Sequence, residues 1–397
     1  MYNIADHYEN IYHYLCTIIA GSRVIYLHPF GSTQPENIEY LRNDTIPNEL
    51  QLPTNRTAPM FIFYDQEPLD ANYNDKLFKW ITENTKAPWI LVNTEKHSHD
   101  KNQILEKFSF AEINYFFHIF AAADWFRGHK YLPGLLPPTK RKLKKTYISF
   151  NRITSNKRVY RSLLVNELYK NNLLDAGYIS YSKLCPDTNE SFSTSIRAGV
   201  PGYTINSTLK EEAISNIYQL PELRIDFPEQ TIPNQSMLLS PMKELMESFI
   251  FLVTETCYFE SKTHLTEKIF KPIVLRMPFI LVGCAHNLKY LRSYGFKTFG
   301  DFWDESYDTI EDPILRLQAI TKILKDMSKL STDEQQDMLA NMQPILEHNY
   351  NLFNNPDFVR KEWNYLTEQL SLICEKYKYV PPYTYDARLM QSIPSPK

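Results

Sequence analysis

Short β-rich apolar runs, separated by stretches with helical spacing, restrict this chain more than any other feature. Arg23-Val24-Ile25-Tyr26-Leu27, Met60-Phe61-Ile62-Phe63-Tyr64 and Trp89-Ile90-Leu91-Val92 occupy the first part, and such alternation predicts βαβ units around parallel sheets. The pattern restarts at Thr146-Tyr147-Ile148-Ser149-Phe150, followed by a polar turn and a helix carrying Leu163, Leu164, Leu168 and Tyr169 at helical spacing. Two more buried strands are expected at Phe249-Ile250-Phe251-Leu252-Val253 and Pro278-Phe279-Ile280-Leu281-Val282, with a helix over about residues 265–276 between them. That trio is one right-handed crossover. Beyond Asp312 the pattern is mainly helical to about Lys376, before the tail Tyr379-Val380-Pro381-Pro382-Tyr383-Thr384-Tyr385.

A chain of 397 residues is too long for one ordinary core, which argues for two domains of about 150 to 200 residues each. The prolines of Tyr131-Leu132-Pro133-Gly134-Leu135-Leu136-Pro137-Pro138 mark the expected linker. The expected organisation is an α/β domain over 1–138, a second over 139–330, and helices and tail over 331–397 packing back across both. The fold class expected is α/β, two Rossmann-like domains facing across a cleft, with a helical C-terminal segment.

Composition removes several classes of function. With 43% hydrophobic and 22% charged residues, the chain has no long disordered tract. A net charge of −3 gives no global basic field for non-specific nucleic-acid binding. One local patch, Arg141-Lys142-Leu143-Lys144-Lys145, reads either as a solvated linker or as a rim that meets phosphates. Cys16, Cys185, Cys257, Cys284 and Cys374 lie far apart, are odd in number and show no C-x-x-C spacing, so neither a zinc site nor a disulfide framework is indicated. Asp6 and Glu9 stand where a signal peptide wants Lys or Arg, and no apolar run approaches the roughly 18 residues of a membrane span. The expected location is a reducing cytosol, with no membrane span.

Ligands of α/β folds bind outside the carboxyl ends of the strands, and four polar clusters stand there. Asp65, Gln66 and Glu67 follow the run 60–64, and a carboxylate there acts either as a general base or as a helix cap. Asn93, Glu95 and Lys96 follow the run 89–92 and either contact sugar hydroxyls or cap the next helix. Asn151 and Arg152 close the strand 146–150, with Lys157, Arg158 and Arg161 at the start of the next helix. Helix starts ordinarily prefer Asp and Glu, so this inversion favours a bound polyanion such as pyrophosphate over a merely exposed basic turn.

The fourth cluster is the richest. Glu255 closes one strand and Leu265-Thr266-Glu267-Lys268 opens the following helix, with Thr266 as the expected N-cap. Glu267 can hold two ribose hydroxyls while Lys268 and the helix amides meet a pyrophosphate, or the pair is a capped helix with an exposed ion pair. Pro272 is expected to kink that helix. G-x-G-x-x-G, Walker A, H-E-x-x-H and G-x-S-x-G motifs are all missing, and the chain has only ten glycines. Any phosphates must therefore be held by side chains and helix ends.

Phe251-Leu252-Val253-Thr254-Glu255 with Leu265-Thr266-Glu267-Lys268-Ile269-Phe270-Lys271-Pro272 resembles the donor-site motif of the α1,3-fucosyltransferase-like family, and segment 151–158 resembles its Asn and Arg element. The chain is more similar still to phage and bacterial glycosyltransferases that share Asp-Gln-Glu-Pro, Thr-Glu-Lys and Asp-Glu-Ser-Tyr elements, here Asp65 to Pro68, Thr266 to Lys268 and Asp304 to Tyr307. The resemblance implies a GT-B fold and metal-independent, inverting transfer from a nucleotide diphosphate sugar, GDP- or UDP-linked, with no cofactor. It implies a donor site in the second domain. There Arg158 and Lys268 neutralise the diphosphate, Glu267 binds the ribose and Glu255 faces the donor, while Glu67 matches the family's base. The acceptor it implies is a glycan hydroxyl or, in a phage-infected host, a hydroxylated base in DNA, for which 141–145 would supply the rim. A non-catalytic nucleotide-sugar-binding protein is the alternative of a different class.

Overall fold

The computed structural model describes residues 23–26, 38–40, 60–64, 68–70, 89–108, 112–115, 134–186, 188–225 and 241–355, with isolated positions elsewhere. The chain divides into two compact units, Met1–Gly128 with Asn355–Lys397, and His129–Asn354. The division falls upstream of the proline-rich stretch 131–138, and it assigns 331–354 and 355–397 to different units.

The first unit carries a five-stranded sheet of β1 (Arg23–Tyr26), β2 (Ile38–Tyr40), β3 (Met60–Tyr64), β4 (Trp89–Asn93) and β6 (Glu112–Tyr115), with the two-residue β5 (His97–Ser98) and helix α1 (His99–Phe108) between the last two. The order is β2-β1-β3-β4-β6, and every pairing is parallel, with Val24 opposite Phe61, Phe61 opposite Ile90 and Ile90 opposite Glu112. Strand β4 is covered on both faces: Ile90, Leu91 and Val92 are fully buried, as a parallel interior strand requires. α1 turns Ile104 and Phe108 inward, and Phe108 meets Phe78 edge-on with ring centroids 5.7 Å apart.

The second unit repeats the plan. β7 (Lys145–Asn151), β8 (Gly177–Tyr181), β9 (Ser248–Thr254) and β11 (Phe279–Val282) form a four-stranded sheet of order β11-β9-β7-β8, all parallel. The two-residue β10 (Lys262–Thr263) stands between β9 and β11 in the chain. All seven residues of β9 are buried, which explains its unbroken apolar run.

α2 (Tyr160–Lys170) connects β7 to β8, and α3 (Phe192–Ala198), α4 (Ser207–Gln219) and α5 (Met242–Met246) precede β9. α6 (Glu267–Val274) connects β9 to β11, and α7 (Asn287–Ser293), α8 (Pro313–Met327), α9 (Thr332–Asn341) and α10 (Gln343–Phe353) complete the unit. The chain moves from β7 toward one edge through α2 and from β9 toward the other through α6, so right-handed crossovers put these helices on opposite faces. α4 and α8 pack on α2, whereas α10 packs on α6. Residues 160–168 of α2 are consequently all buried, and its polar positions find partners inside: Ser162 Oγ bonds Tyr181 Oη at 2.9 Å, and Asn166 Oδ1 accepts from Asn216 Nδ2 at 2.9 Å.

In each sheet the strand order reverses once, between β1 and β3 in the first and between β7 and β9 in the second. In open parallel sheets the loops beyond such a reversal diverge to opposite faces and leave a crevice where ligands bind.

Candidate functional site

At the reversal in the second unit, where such a fold leaves its crevice, stand the loop after β7 and the segment from the end of β9 to the start of α6. Glu255 is its hub. The Glu255 N–H continues the ladder to Val282 O at 3.0 Å, while its carbonyl accepts from Tyr160 Oη and from Arg161 Nη2, the latter at 3.2 Å. Its carboxylate, 1% exposed, accepts from Thr266 N at 3.2 Å, Thr266 Oγ1 at 2.6 Å and Thr256 N at 3.2 Å. Burial pushes this carboxyl above the usual range, against the pull of the Lys268 ammonium and the Thr266 donors. Rather than pointing outward, Glu255 fixes the entry to α6.

Thr266 is the N-cap expected from sequence, its Oγ1 accepting from Lys268 N at 3.4 Å. Glu267 and Lys268 open the helix. Lys268 Nζ donates to Glu267 Oε1 at 2.9 Å, Thr256 Oγ1 at 3.1 Å and Thr266 Oγ1 at 3.3 Å. The ammonium thus has an acceptor for each of its three N–H groups, and its side chain is 26% exposed against 6% for Glu267. One turn on, Lys271 has its pKa pulled down to about 8 by burial, with Glu267 raising it and Lys268 lowering it further. Sequence reasoning passed over Lys271 as a site residue, although its i+4 spacing from Glu267 was the available signal. Pro272 lies inside α6, which ends two residues later at Val274.

Across the crevice, Asn151 ends β7 fully buried. Its Nδ2 donates to Ser149 Oγ at 3.0 Å, and its Oδ1 is buried without a hydrogen-bond partner. The loop turns through Asn156, whose left-handed φ of 53° suits an asparagine. Of the cations here, Arg161 and Lys157 have clear structural tasks. Arg161 is buried and donates to the carbonyls of Ile153 at 2.9 Å and Thr254 at 3.0 Å besides Glu255. Lys157 pairs with Glu260 at 3.3 Å. Arg152 is exposed and Arg158 half-buried at the rim. The inverted charge at this helix start therefore has a partly structural cause: Arg161 ties the ends of β7 and β9 together.

The run 141–145 is divided: Arg141 and Leu143 are buried, whereas Lys142 and Lys144 are exposed. Arg141 is 4% exposed and donates to the carbonyls of Leu136 at 3.0 Å, Arg276 at 3.0 Å and Leu275. Burial brings its pKa down to about 9. Lys144 pairs with Glu247 at 2.7 Å, and Lys145 Nζ donates to Asp175 O at 2.5 Å.

The Asp304 to Tyr307 element also serves the fold. Glu305 accepts from Phe299 N at 2.8 Å and Thr298 Oγ1 at 2.6 Å, and Leu281 N–H of the edge strand β11 donates to Tyr307 Oη at 3.2 Å.

In the first unit Asn93, Thr94 and Glu95 run on from β4 into full burial. Asn93 Oδ1 accepts from Glu95 N at 2.7 Å, and Glu95 Oε2 accepts from Leu69 N at 3.0 Å. Lys101 Nζ donates to the carbonyls of Glu95 at 3.3 Å and Lys96 at 3.4 Å, and burial lowers its pKa. Asp65, Gln66 and Glu67, directly after β3, lie outside the described residues.

Cys185, Cys257 and Cys284 are free, buried thiols, and the Cys257 thiol is pushed up by its neighbour Cys284 and by burial. Among the described residues no cluster of three or more His, Cys, Asp or Glu has the arrangement of a metal site, and no helix is long and apolar enough to cross a membrane. No family model matches the chain, and no curated protein matches it.

Proposed function

We propose that this protein is a glycosyltransferase of the GT-B type that transfers a sugar from a nucleotide diphosphate sugar to an acceptor hydroxyl. The observation that supports the reading is that Arg152 and Arg158 follow β7 while a Thr266-capped helix N-terminus with Lys268 follows β9, the two strands at the reversal of the sheet. A helix N-terminus concentrates unpaired N–H groups and a positive partial charge, and added cations make it a site for a polyanion. Two reversing parallel sheets in one chain support a donor unit and an acceptor unit. In this reading the diphosphate draws one Lys268 N–H away from a threonine hydroxyl, and Glu267 faces the ribose. Glu255 acts one step back, holding Thr266 and thereby the helix end.

The burial of Arg141 within the fold and the net charge of −3 favour a glycan acceptor over DNA, because DNA binding draws on cations available to phosphates. Glu67 is the proposed base, removing the acceptor proton as the hydroxyl oxygen attacks the anomeric carbon and the nucleotide diphosphate departs. Glu67→Gln is expected to lower kcat by about 10²- to 10⁴-fold with donor affinity retained. Steady-state transfer assays check this, and near-normal turnover would move the role to another carboxylate.

A further inference from the structure

The residues around this crevice that phosphate and ribose recognition leaves unused are aromatic. We propose that Phe259 and Tyr203 form a stacking platform for the nucleobase of the nucleotide, an assignment that rests on the nucleotide-sugar reading of the site. Phe259 lies four residues beyond Glu255 and is only partly buried, so part of its ring meets solvent. Its ring is held by others: Tyr258 edge-on at 5.5 Å, Tyr160 edge-on at 6.4 Å and Tyr203 tilted at 5.1 Å between centroids. Behind it Tyr160 and Tyr258 stack at 4.4 Å.

Tyr203 is delivered by a turn that the sequence builds for it. Val200-Pro201-Gly202-Tyr203 has proline at the second position and glycine, with φ 80°, at the third, and Tyr203 N–H closes it onto Val200 O at 3.1 Å. This is the residue order of a type II turn. Tyr203 Oη donates to Asp312 Oδ2 at 3.4 Å, so the ring is fixed at both ends.

The next residue after Phe259, Glu260, pairs with Lys157 at 3.3 Å. That bond ties the aromatic loop to the turn carrying Arg158. A rigid, half-exposed ring beside a cationic rim suits a ligand with a planar base at one end and phosphates at the other. Every base offers a π-face, and base–aromatic stacking contributes sequence-tolerant affinity.

The test is calorimetric titration of the full-length chain with GDP, UDP and inorganic pyrophosphate, on the wild type, Phe259→Ala and Phe259→Tyr. The platform predicts that Phe259→Ala weakens nucleoside diphosphate binding by about 5- to 150-fold, leaves pyrophosphate binding unchanged, and that Phe259→Tyr restores nucleotide affinity. Equal nucleotide affinity in wild type and Phe259→Ala would overturn the platform while leaving the nucleotide reading standing. A parallel loss for pyrophosphate would likewise overturn it, since the ring would then only support the loop. A wild type that binds none of the three removes the nucleotide reading and the platform with it.

Discussion

The two ends of α6 use positive charge in opposite ways. At the C-terminal end Arg141 closes the carbonyls of Leu275 and Arg276, and Arg276 itself takes a left-handed φ of 49°. Met277 N–H reaches Pro272 O at 2.8 Å and Arg276 N–H reaches Ile273 O at 3.1 Å, the paired bonds of a Schellman cap. Glycine ordinarily fills that position. Here the Arg276 side chain offsets the strain by lying 3.4 Å from the Tyr350 ring centroid and pairing with Glu347 at 2.9 Å. Cations at a helix C-terminus complement the dipole and stabilise the fold. At the N-terminal end Lys268 opposes the dipole, while Arg152 and Arg158 belong to the loop after the neighbouring strand β7. Charge placed against the local field costs stability, and here the Glu267 carboxylate, 2.9 Å from Lys268 Nζ, offsets part of that cost within the chain.

The sharpest way to break this contrast is to remove Arg141. Arg141→Ala leaves the buried Leu275 carbonyl and the part-buried Leu136 and Arg276 carbonyls without this donor and is expected to cost about 3 kcal/mol, lowering Tm by about 6 to 12 °C in a domain of this size. Thermal unfolding checks it, and a loss under about 1 kcal/mol would show that the C-terminal seal is ornamental. Glu255→Gln comes next, at about 1 to 3 kcal/mol, because an amide cannot accept from all three donors that the carboxylate serves.

That variant also has a pH signature. The native Glu255 carboxyl is raised above its unfolded value, so the native state holds the proton longer and the stability from this group falls as pH rises above the ordinary carboxylate range. Wild-type stability relative to Glu255→Gln should therefore decline as pH increases, and a rising difference would contradict the burial of this group. Smallest is the stability effect of Lys268→Ala. Its ion pair with Glu267 is partly exposed, and the change should stay within about 1 kcal/mol.

Much of this arrangement is legible in the sequence because it is local. Thr266 caps the helix two residues on, and the apolar runs that became β1, β3, β4, β7, β9 and β11 announce themselves by composition alone. The strands that escaped notice, besides the two-residue β5 and β10, are β2, β6 and β8, which end the strand orders of their sheets. Ile-Glu-Tyr and Glu-Ile-Asn-Tyr carry polar residues that blur the apolar signal. What sequence spacing does not carry is the long-range use of charge. Arg141 looked like part of a basic tract because its carbonyl partners lie 134 and 135 residues away. Arg161 looked like a phosphate ligand because Thr254, 93 residues on, meets it only once β9 has paired with β7. Glu255 seemed to face a ligand because the Thr266 donors that enclose it depend on the path of the intervening loop.

The central claim is that the N-terminal end of α6 holds a nucleotide diphosphate. It is tested most directly by titrating GDP and UDP into wild type and Lys268→Ala. The account predicts that at least one nucleotide binds the wild type and that Lys268→Ala weakens it by about 10- to 150-fold, the worth of a hydrogen bond to a charged group, with the fold intact. Equal affinity in both proteins, or no binding by the wild type, would contradict it.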